Sequence, residues 1–578
     1  MSKPLARGFV RARLDRLIGQ YSGLPAEKCE YTSTAVRIPV TDTDGSTFEL
    51  AGDLYQPKFA NSSEKPCGTI LVFGPYGRGI ETNITLVTIF ATRGYNVLFA
   101  SCRGTFGSGG TWLPFRTETH DGRAIVNWMR QQAWYTGSFA MHGMSYLGFT
   151  QWAMLSDLPK DMATAVLVVP VHDFGQFCWG TGALNMDIMV WSQSSAHMEK
   201  PSYFGPFYRM WNFLTSRGHL NSVFDGVSLV DSARKHFGLT APWVHEIIAR
   251  PDPKDPYYEP MQHRRALEVA NIPILLMAGW HDIFLDQTLE QYRRLSERKT
   301  EVALIVGPWS HISVDGVNGE TFAWMETHLA GHPKEMEQQR QWDDGVVRIF
   351  VGGVKEWRVI SQWPPATKPL EMFLQPGQGL SEEIPTPAED HDSTSSFTFD
   401  PRNPTPSVGG PILGTDGGCA VDDALALRSD VLTFTTDPLE RDIEVLGAPS
   451  VDLAHESDNP YVDLFVRISE VDTDGHSRNV TEGYQRLDQN RPKNEPVKLT
   501  IRECAHVFRK GTRMRLIVAG GCARIYHRNP GTTNDASRAD SLLSSEHTLH
   551  HGGDRVSKLV LPVAAVWGTE IVGSASGM

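Results

Sequence analysis

The sequence predicts an α/β fold built on a mostly parallel sheet, interrupted by one helical insertion and followed by an antiparallel β domain. Up to about residue 310, short runs of unbroken hydrophobicity alternate with longer helical stretches: 69–73 (TILVF), 96–100 (NVLFA), 138–142 (SFAMH), 165–169 (AVLVV), 273–278 (PILLMA) and 302–306 (VALIV). Strands that are apolar on both faces belong in a parallel sheet covered by helices. Between 171 and 265 that rhythm stops and aromatics gather, among them Phe174, Phe177, Trp179, Trp191 and Trp211. An insertion that leaves one sheet strand and returns before the next reads as a helical cap. Beyond about 346 the strands shorten and Gly and Pro turns multiply. There Val462, Leu464, Val466 and Ile468 alternate with Asp463, Phe465, Arg467 and Ser469, the period of two of an antiparallel sandwich or jelly roll.

The expected organisation is therefore a catalytic-type α/β unit from 1–170 and 266–345, a cap over 171–265 and a β domain over 346–578. A chain of 578 residues is long enough for three such cores. Lys and Arg number 54 against 67 Asp and Glu, a net charge of −13. That balance offers no basic face, so nucleic acid and anionic membrane are not expected partners. A small molecule is, and a homo-oligomer is compatible with the sequence. The seven cysteines are scattered without a C-x-x-C pair, which argues against a disulfide framework or a zinc ribbon. The N-terminal stretch is broken by Arg7, Arg11, Arg13, Asp15 and Arg16 and lacks the apolar core of a signal peptide, so it reads as a leading helix of a cytoplasmic protein. No run of about 18 apolar residues marks a membrane span.

The chemistry concentrates where strands end. The run 138–142 passes directly into Gly143-Met144-Ser145-Tyr146-Leu147-Gly148, and an apolar helical stretch follows. A serine on a tight strand-to-helix turn projects its Oγ from the top of a sheet and leaves backbone N–H groups free for an oxyanion. Such a nucleophile needs a base and an orienting acid, in chain order Ser, then Asp or Glu, then His. The run 273–278 ends in Gly279-Trp280-His281-Asp282, and 302–306 ends in Gly307-Pro308-Trp309-Ser310-His311. Ser145, Asp282 and His311 are thus the expected nucleophile, acid and base. Asp173 and Asp286 compete as acids, and His172 and His281 as bases.

These blocks resemble the signatures of the cocaine esterase and X-Pro dipeptidyl-peptidase superfamily, the CocE/NonD hydrolases. The likeness extends to Pro75-Tyr76, Arg103-Gly104, the 121–128 helix and the late block 524–531 (RIYHRNPG). It implies an α/β-hydrolase domain with an inserted helical cap and a C-terminal antiparallel β jelly roll. It also implies an oxyanion hole made by the Tyr76 hydroxyl and the Tyr146 amide, with Phe284 and Trp191 lining the acyl pocket. One departure stands out: Ser101-Cys102-Arg103-Gly104 replaces the Asp-x-Arg-Gly of many relatives, which removes the usual neighbour of Arg103.

The expected activity is cleavage of a small, apolar or aromatic carboxylic ester through an acyl-enzyme, without metal or other cofactor. Amide or X-Pro peptide cleavage and acyl transfer are the alternatives on the same fold. A non-catalytic carbohydrate-binding module is the remote one. His547, His550 and His551 match no zinc spacing, and Gly107-Ser108-Gly109-Gly110 lacks the Lys-Ser/Thr of a phosphate loop.

Overall fold

The computed structural model describes residues 3–199, 206–331, 347–385, 393–492, 495–533 and 535–565. Eleven strands form the first sheet: β1 (Leu5–Ala6), β2 (Glu30–Thr41), β3 (Thr47–Lys58), β4 (Thr69–Gly74), β5 (Asn96–Ser101), β6 (Phe139–Met144), β7 (Met162–Val168), β8 (Ile274–His281), β9 (Val302–Ser310), β10 (Val347–Val351) and β11 (Glu356–Ile360). Their order is β1-β2-β3-β5-β4-β6-β7-β8-β9-β10-β11. From β5 through β4, β6, β7, β8, β9 and β10 every pairing is parallel. The six apolar runs of the sequence fall on β4 to β9, each buried along nearly its whole length.

Two parts of the sheet depart from the sequence reading. The long antiparallel hairpin β2–β3 precedes the first apolar run; it lies toward one edge, where β2 alternates buried and exposed residues, so it lacks the continuous hydrophobicity that marks the central strands. At the other edge, residues 347–360 were expected in the β domain but extend the first sheet. Val347, Arg348 and Ile349 of β10 pair in parallel with Leu304, Ile305 and Val306. The addition covers the edge of β9, which would otherwise present unpaired backbone. The expected boundary at 345/346 itself falls outside the described residues, as do both ends of the chain.

Helices cover both faces. One face holds the cluster containing Leu71, Phe149, Trp152 and Leu276, the other the cluster containing Ile70, Phe90, Phe99 and Phe322. The leading stretch forms the helix Phe9–Tyr21. Its buried Asp15 is gripped by Arg7 at 2.9 Å and Arg11 at 2.8 Å and accepts the Thr88 hydroxyl at 2.8 Å. The insertion is helical, with Phe174–Trp179, Asp187–Ser195, Pro206–His219, Leu229–Phe237 and Pro242–Ile248. Most of the described residues beyond Ile360 form the second, almost wholly antiparallel sheet system around its own core of Leu453, Leu464, Val466, Leu516 and Val518. Among the described residues no helix is long and apolar enough to cross a membrane.

Several histidines are buried and held neutral by desolvation. The imidazoles of His142, His281 and His547 are pushed down to about 4, and those of His172, His263 and His527 to about 3. In the unfolded chain these groups take up protons near 6.5. Between pH 6.5 and 4 the unfolded state therefore binds more protons than the native one, and stability falls as pH falls, by up to about 1.4 kcal/mol per pH unit for each histidine. Glu118, whose buried carboxyl is pushed up to about 7, works in the opposite sense and offsets only part of this. We expect the thermal midpoint in calorimetry to drop by several degrees from pH 7 to pH 5; an unchanged midpoint would contradict the assignment.

Candidate active site

The chain turns out of β6 at Ser145, which takes φ 57° and ψ −120° and caps the helix Tyr146–Leu155. A positive φ in a non-glycine residue is costly and marks a position that its surroundings hold. Close packing explains the glycines. A Cβ on Gly143 would lie 2.4 Å from the Leu147 Cβ, and one on Gly148 would lie 2.7 Å from the Pro170 Cβ. The second glycine therefore comes three residues after the serine because Gly148, not Leu147, meets Pro170. Leu147 in turn fits against Gly74, where a Cβ would come within 2.8 Å of it.

β8 and β9 end beside this turn. A Cβ on Gly279 would meet the Trp309 carbonyl at 2.2 Å, and one on Gly307 would meet the Trp309 ring at 2.3 Å. The two glycines let Trp309 pass between the strands, and the pairing shifts register between Gly279 and His281. Asp282 and His311 follow these irregularities and face each other. His311 Nδ1 donates to Asp282 Oδ1 at 2.6 Å, and the Ser145 hydroxyl donates to His311 Nε2 at 2.9 Å. Asp282 is fully buried, and His311 is buried as well.

The competitors are engaged elsewhere. Asp173 caps the helix Phe174–Trp179, accepting from the Gln176 amide at 2.9 Å and Arg264 Nε at 2.6 Å. His172 Nδ1 pairs with Gln291 at 3.0 Å, and Asp286 pairs with Arg502. His281 is buried at the end of β8, beside the acid but not between it and the serine.

The Tyr146 amide has no carbonyl partner among the described residues, whereas the amides of Ser145, Gly148 and Phe149 are all used. The Tyr76 hydroxyl lies next to Ser145 and the Tyr146 amide and accepts from Trp191 Nε1 at 3.2 Å. Burial pushes the Tyr76 phenol up to about 12, so it keeps its proton, and its ability to donate, throughout the neutral range. Trp191 lies parallel to the Tyr146 ring, 6.0 Å between centroids, and Phe284 sits edge-on to His311 at 5.1 Å. Together with Phe115, Phe174 and Phe177 they line a pocket of only about 30 Å³ over Ser145.

Other residues at this site have no sequence signal of their own. Glu118 opens the helix Glu118–Met129, where an acid reads simply as a favourable helix start. It is buried, and its carboxyl accepts the Tyr146 hydroxyl and the Thr117 amide, while the Tyr146 oxygen accepts the Phe115 amide at 2.8 Å. Asp187, in the cap, also lines the pocket; Arg217 holds it at 2.5 Å and the Leu413 amide at 3.0 Å. Arg502 reaches from the β domain to donate to the Asp282 carbonyl at 2.6 Å. Arg103, without its usual neighbour, makes a two-pronged bond to Asp121 at 2.5 and 2.8 Å and a third to Asp42 at 2.6 Å. Ser101, at the replaced position, accepts from Arg78.

No group of three or more potential metal ligands occurs among the described residues. His547 bonds His455 at 3.1 Å and Ser545 at 3.0 Å, and the Nε2 of His551 bonds Ser395 at 2.9 Å.

The model of the X-Pro dipeptidyl-peptidase (S15) family matches residues 44–313, and that of the X-Pro dipeptidyl-peptidase C-terminal non-catalytic domain matches 334–560. The chain is 27% identical to the cocaine esterase of Rhodococcus sp. (strain MB1 Bresler), over 92% of this chain and 98% of the relative. Its fold is that of an α-amino acid ester hydrolase, with TM-score 0.75 and 19% identity over 94% of this chain and 98% of that one. It is also that of a CocE/NonD family hydrolase from Staphylococcus aureus, with TM-score 0.63 and 15% identity over 93% of this chain and 94% of that one.

Replacing Glu118 by Ala strands a buried Tyr146 hydroxyl, which costs about 1–3 kcal/mol, and should lower the thermal midpoint; Glu118→Gln, which keeps an acceptor oxygen, should recover most of the loss. Equal losses in the two variants, measured by calorimetry, would show that the hydrogen bond does not anchor Tyr146. With a nucleophile turn, a buried histidine–aspartate pair and two family matches that between them run through most of its length, the chain belongs to the cocaine esterase/X-Pro dipeptidyl-peptidase superfamily of CocE/NonD serine hydrolases.

Proposed function

We propose that the protein hydrolyses carboxylic esters of small molecules through an acyl-enzyme. The observation that carries this reading is the row Asp282–His311–Ser145 beneath an aromatic pocket. Ser145 Oγ attacks the ester carbonyl as His311 Nε2 takes its proton. The buried Asp282 carboxylate fixes the imidazole tautomer and stabilises the imidazolium. Negative charge on the former carbonyl oxygen falls to the Tyr146 amide and the Tyr76 hydroxyl, donors already fixed in a site shielded from water. His311 then protonates the departing alcohol, and the same base activates the water that releases the acid. Similarity to an esterase along nearly the whole chain favours an ester substrate. The peptidase family match favours amide cleavage as the second reading; a shared panel of ester, amide and X-Pro substrates separates the two.

A fluorophosphonate probe should label the wild type and fail to label Ser145→Ala; folded wild type that resists the probe would overturn the assignment. Asp282→Asn should lower turnover of p-nitrophenyl acetate by about four orders of magnitude, the scale for a misoriented base. Asp173→Asn should leave it near normal, and the reverse order would transfer the acid's role to Asp173. Tyr76→Phe should lower kcat by about two to three orders of magnitude, as loss of one oxyanion donor does; a change confined to KM would remove Tyr76 from the oxyanion hole.

A further inference from the structure

A cavity of about 400 Å³ lies where the cap meets the β domain, a volume within the range of about 300–1,000 Å³ usual for small-molecule sites. Its charged wall is mostly basic. Arg217 comes from the cap and Arg524 and Arg528 from the β domain, while the two lining carboxylates, Asp225 and Asp416, are exposed. In a chain with a net charge of −13 this is a local reversal of sign.

The guanidinium groups keep donors in reserve. Arg217 gives its terminal nitrogens to Asp187 and to the Leu413 and Arg524 carbonyls, but its Nε is buried with no hydrogen-bond partner among the described residues. The Arg524 guanidinium is exposed, and it has no hydrogen-bond or ion-pair partner among the described residues. Both lie against the Phe224 ring, 6.0 and 5.6 Å from its centroid. Two like charges that share one ring repel each other, and an anion beside them answers both. Arg528, which donates to the Asp225 and Gly226 carbonyls at 3.0 and 2.8 Å, adds a third positive charge.

We propose that this cavity binds a small organic carboxylate, with Arg217 and Arg524 taking the charged group and Met186, Phe224 and Ile412 the apolar part, and that the active-site pocket senses its occupancy. Planar guanidinium forks suit a carboxylate, and the apolar wall and the volume exceed what a bare inorganic anion needs. The site stands apart from Ser145, so its binding is measurable without turnover.

The link to catalysis is a shared wall. Met186 and Ile412 line this cavity, and the residues that follow them, Asp187 and Leu413, line the pocket over Ser145. Arg217 spans that wall, donating to Asp187 Oδ1 at 2.5 Å and to the Leu413 carbonyl at 3.4 Å. An anion that draws on Arg217 weakens its hold on both residues. The buried Asp187 carboxyl then loses part of the positive charge that offsets its burial. Such coupling is reciprocal, so a ligand held over Ser145 changes the affinity for the anion in turn.

Titration calorimetry of the full chain with sodium 1-naphthoate tests the site, against neutral 1-naphthamide and inorganic phosphate. We expect one naphthoate per chain, bound at least tenfold more tightly than either comparison compound, and at least a tenfold loss of affinity in Arg524→Ala. The pocket over Ser145, about 30 Å³, is too small for naphthoate. Naphthoate should therefore reduce turnover of p-nitrophenyl acetate to a finite plateau rather than to zero, and Arg524→Ala should shift that effect to higher concentration. Naphthamide or phosphate binding as tightly, or a folded Arg524→Ala with wild-type affinity, would overturn the site. Complete inhibition, competitive with the ester and unchanged in Arg524→Ala, would place the anion over Ser145 and overturn it as well. Naphthoate binding as expected by a protein that turns over no ester would overturn the hydrolase reading and uphold the site. Where Arg524→Ala fails to fold, the wild-type comparison of naphthoate with naphthamide decides.

Discussion

A carboxylate with no solvent exposure is expensive unless its charge is answered by hydrogen bonds, and Asp282 is placed so that His311 answers it. The 2.6 Å bond between them fixes which imidazole nitrogen carries the proton and leaves Nε2 as the acceptor facing Ser145. The geometry is possible only because β8 and β9 slip register at their ends, around Trp309 and two glycines that leave room for it. Ser145 meets the pair from β6, two strands away, at the cost of a positive φ. Strain in one turn and burial of one charge are thus held together by a sheet whose central strands are buried along nearly their whole length.

The β domain takes part in this arrangement. Arg502 donates to the Asp282 carbonyl and binds Asp286 at 3.1 Å, so the turn carrying the acid is gripped from outside the sheet that bears it. The Leu413 amide binds Asp187 in the cap, and Leu413 itself lines the aromatic pocket. Three regions of the chain therefore meet over Ser145, each contributing polar groups that would be stranded without the others. A segment matching a domain described as non-catalytic here completes the wall of the pocket and holds the Asp282 turn from behind.

The central strands and the Ser, Asp, His order were legible because each is a local signal: continuous apolar runs, and a functional residue just past a strand end. The hairpin β2–β3 was not, since β2 alternates buried and exposed residues and lacks the continuous apolar run by which the central strands were recognised. The step from β9 to β10 crosses a long connection and changes texture as if a new domain had begun, yet β10 is needed to cover β9. Phe284 and Trp191 were reached by resemblance, and both lie at the pocket. Glu118, Asp187 and Arg502 were invisible for one shared reason: each acts through a partner far away in sequence, at Tyr146, Arg217 and Asp282 respectively.

Asp187 shows how the two sides of the pocket wall are coupled. Burial alone would push its carboxyl towards the protonated form, and Arg217 with the Leu413 amide works against that push. Arg217 also donates to the Arg524 carbonyl at 2.9 Å, on the β domain. The ion pair therefore ties the cap helix Asp187–Ser195 to the β domain at the point where the aromatic pocket closes. Removing either partner leaves a buried charge uncompensated, a loss of about 3–5 kcal/mol, whereas replacing both by apolar groups can be nearly neutral. The pair is therefore better understood as a device that fixes where the pocket wall stands than as a source of net stability. In a pocket this small, the position of that wall decides how much room is left above Ser145.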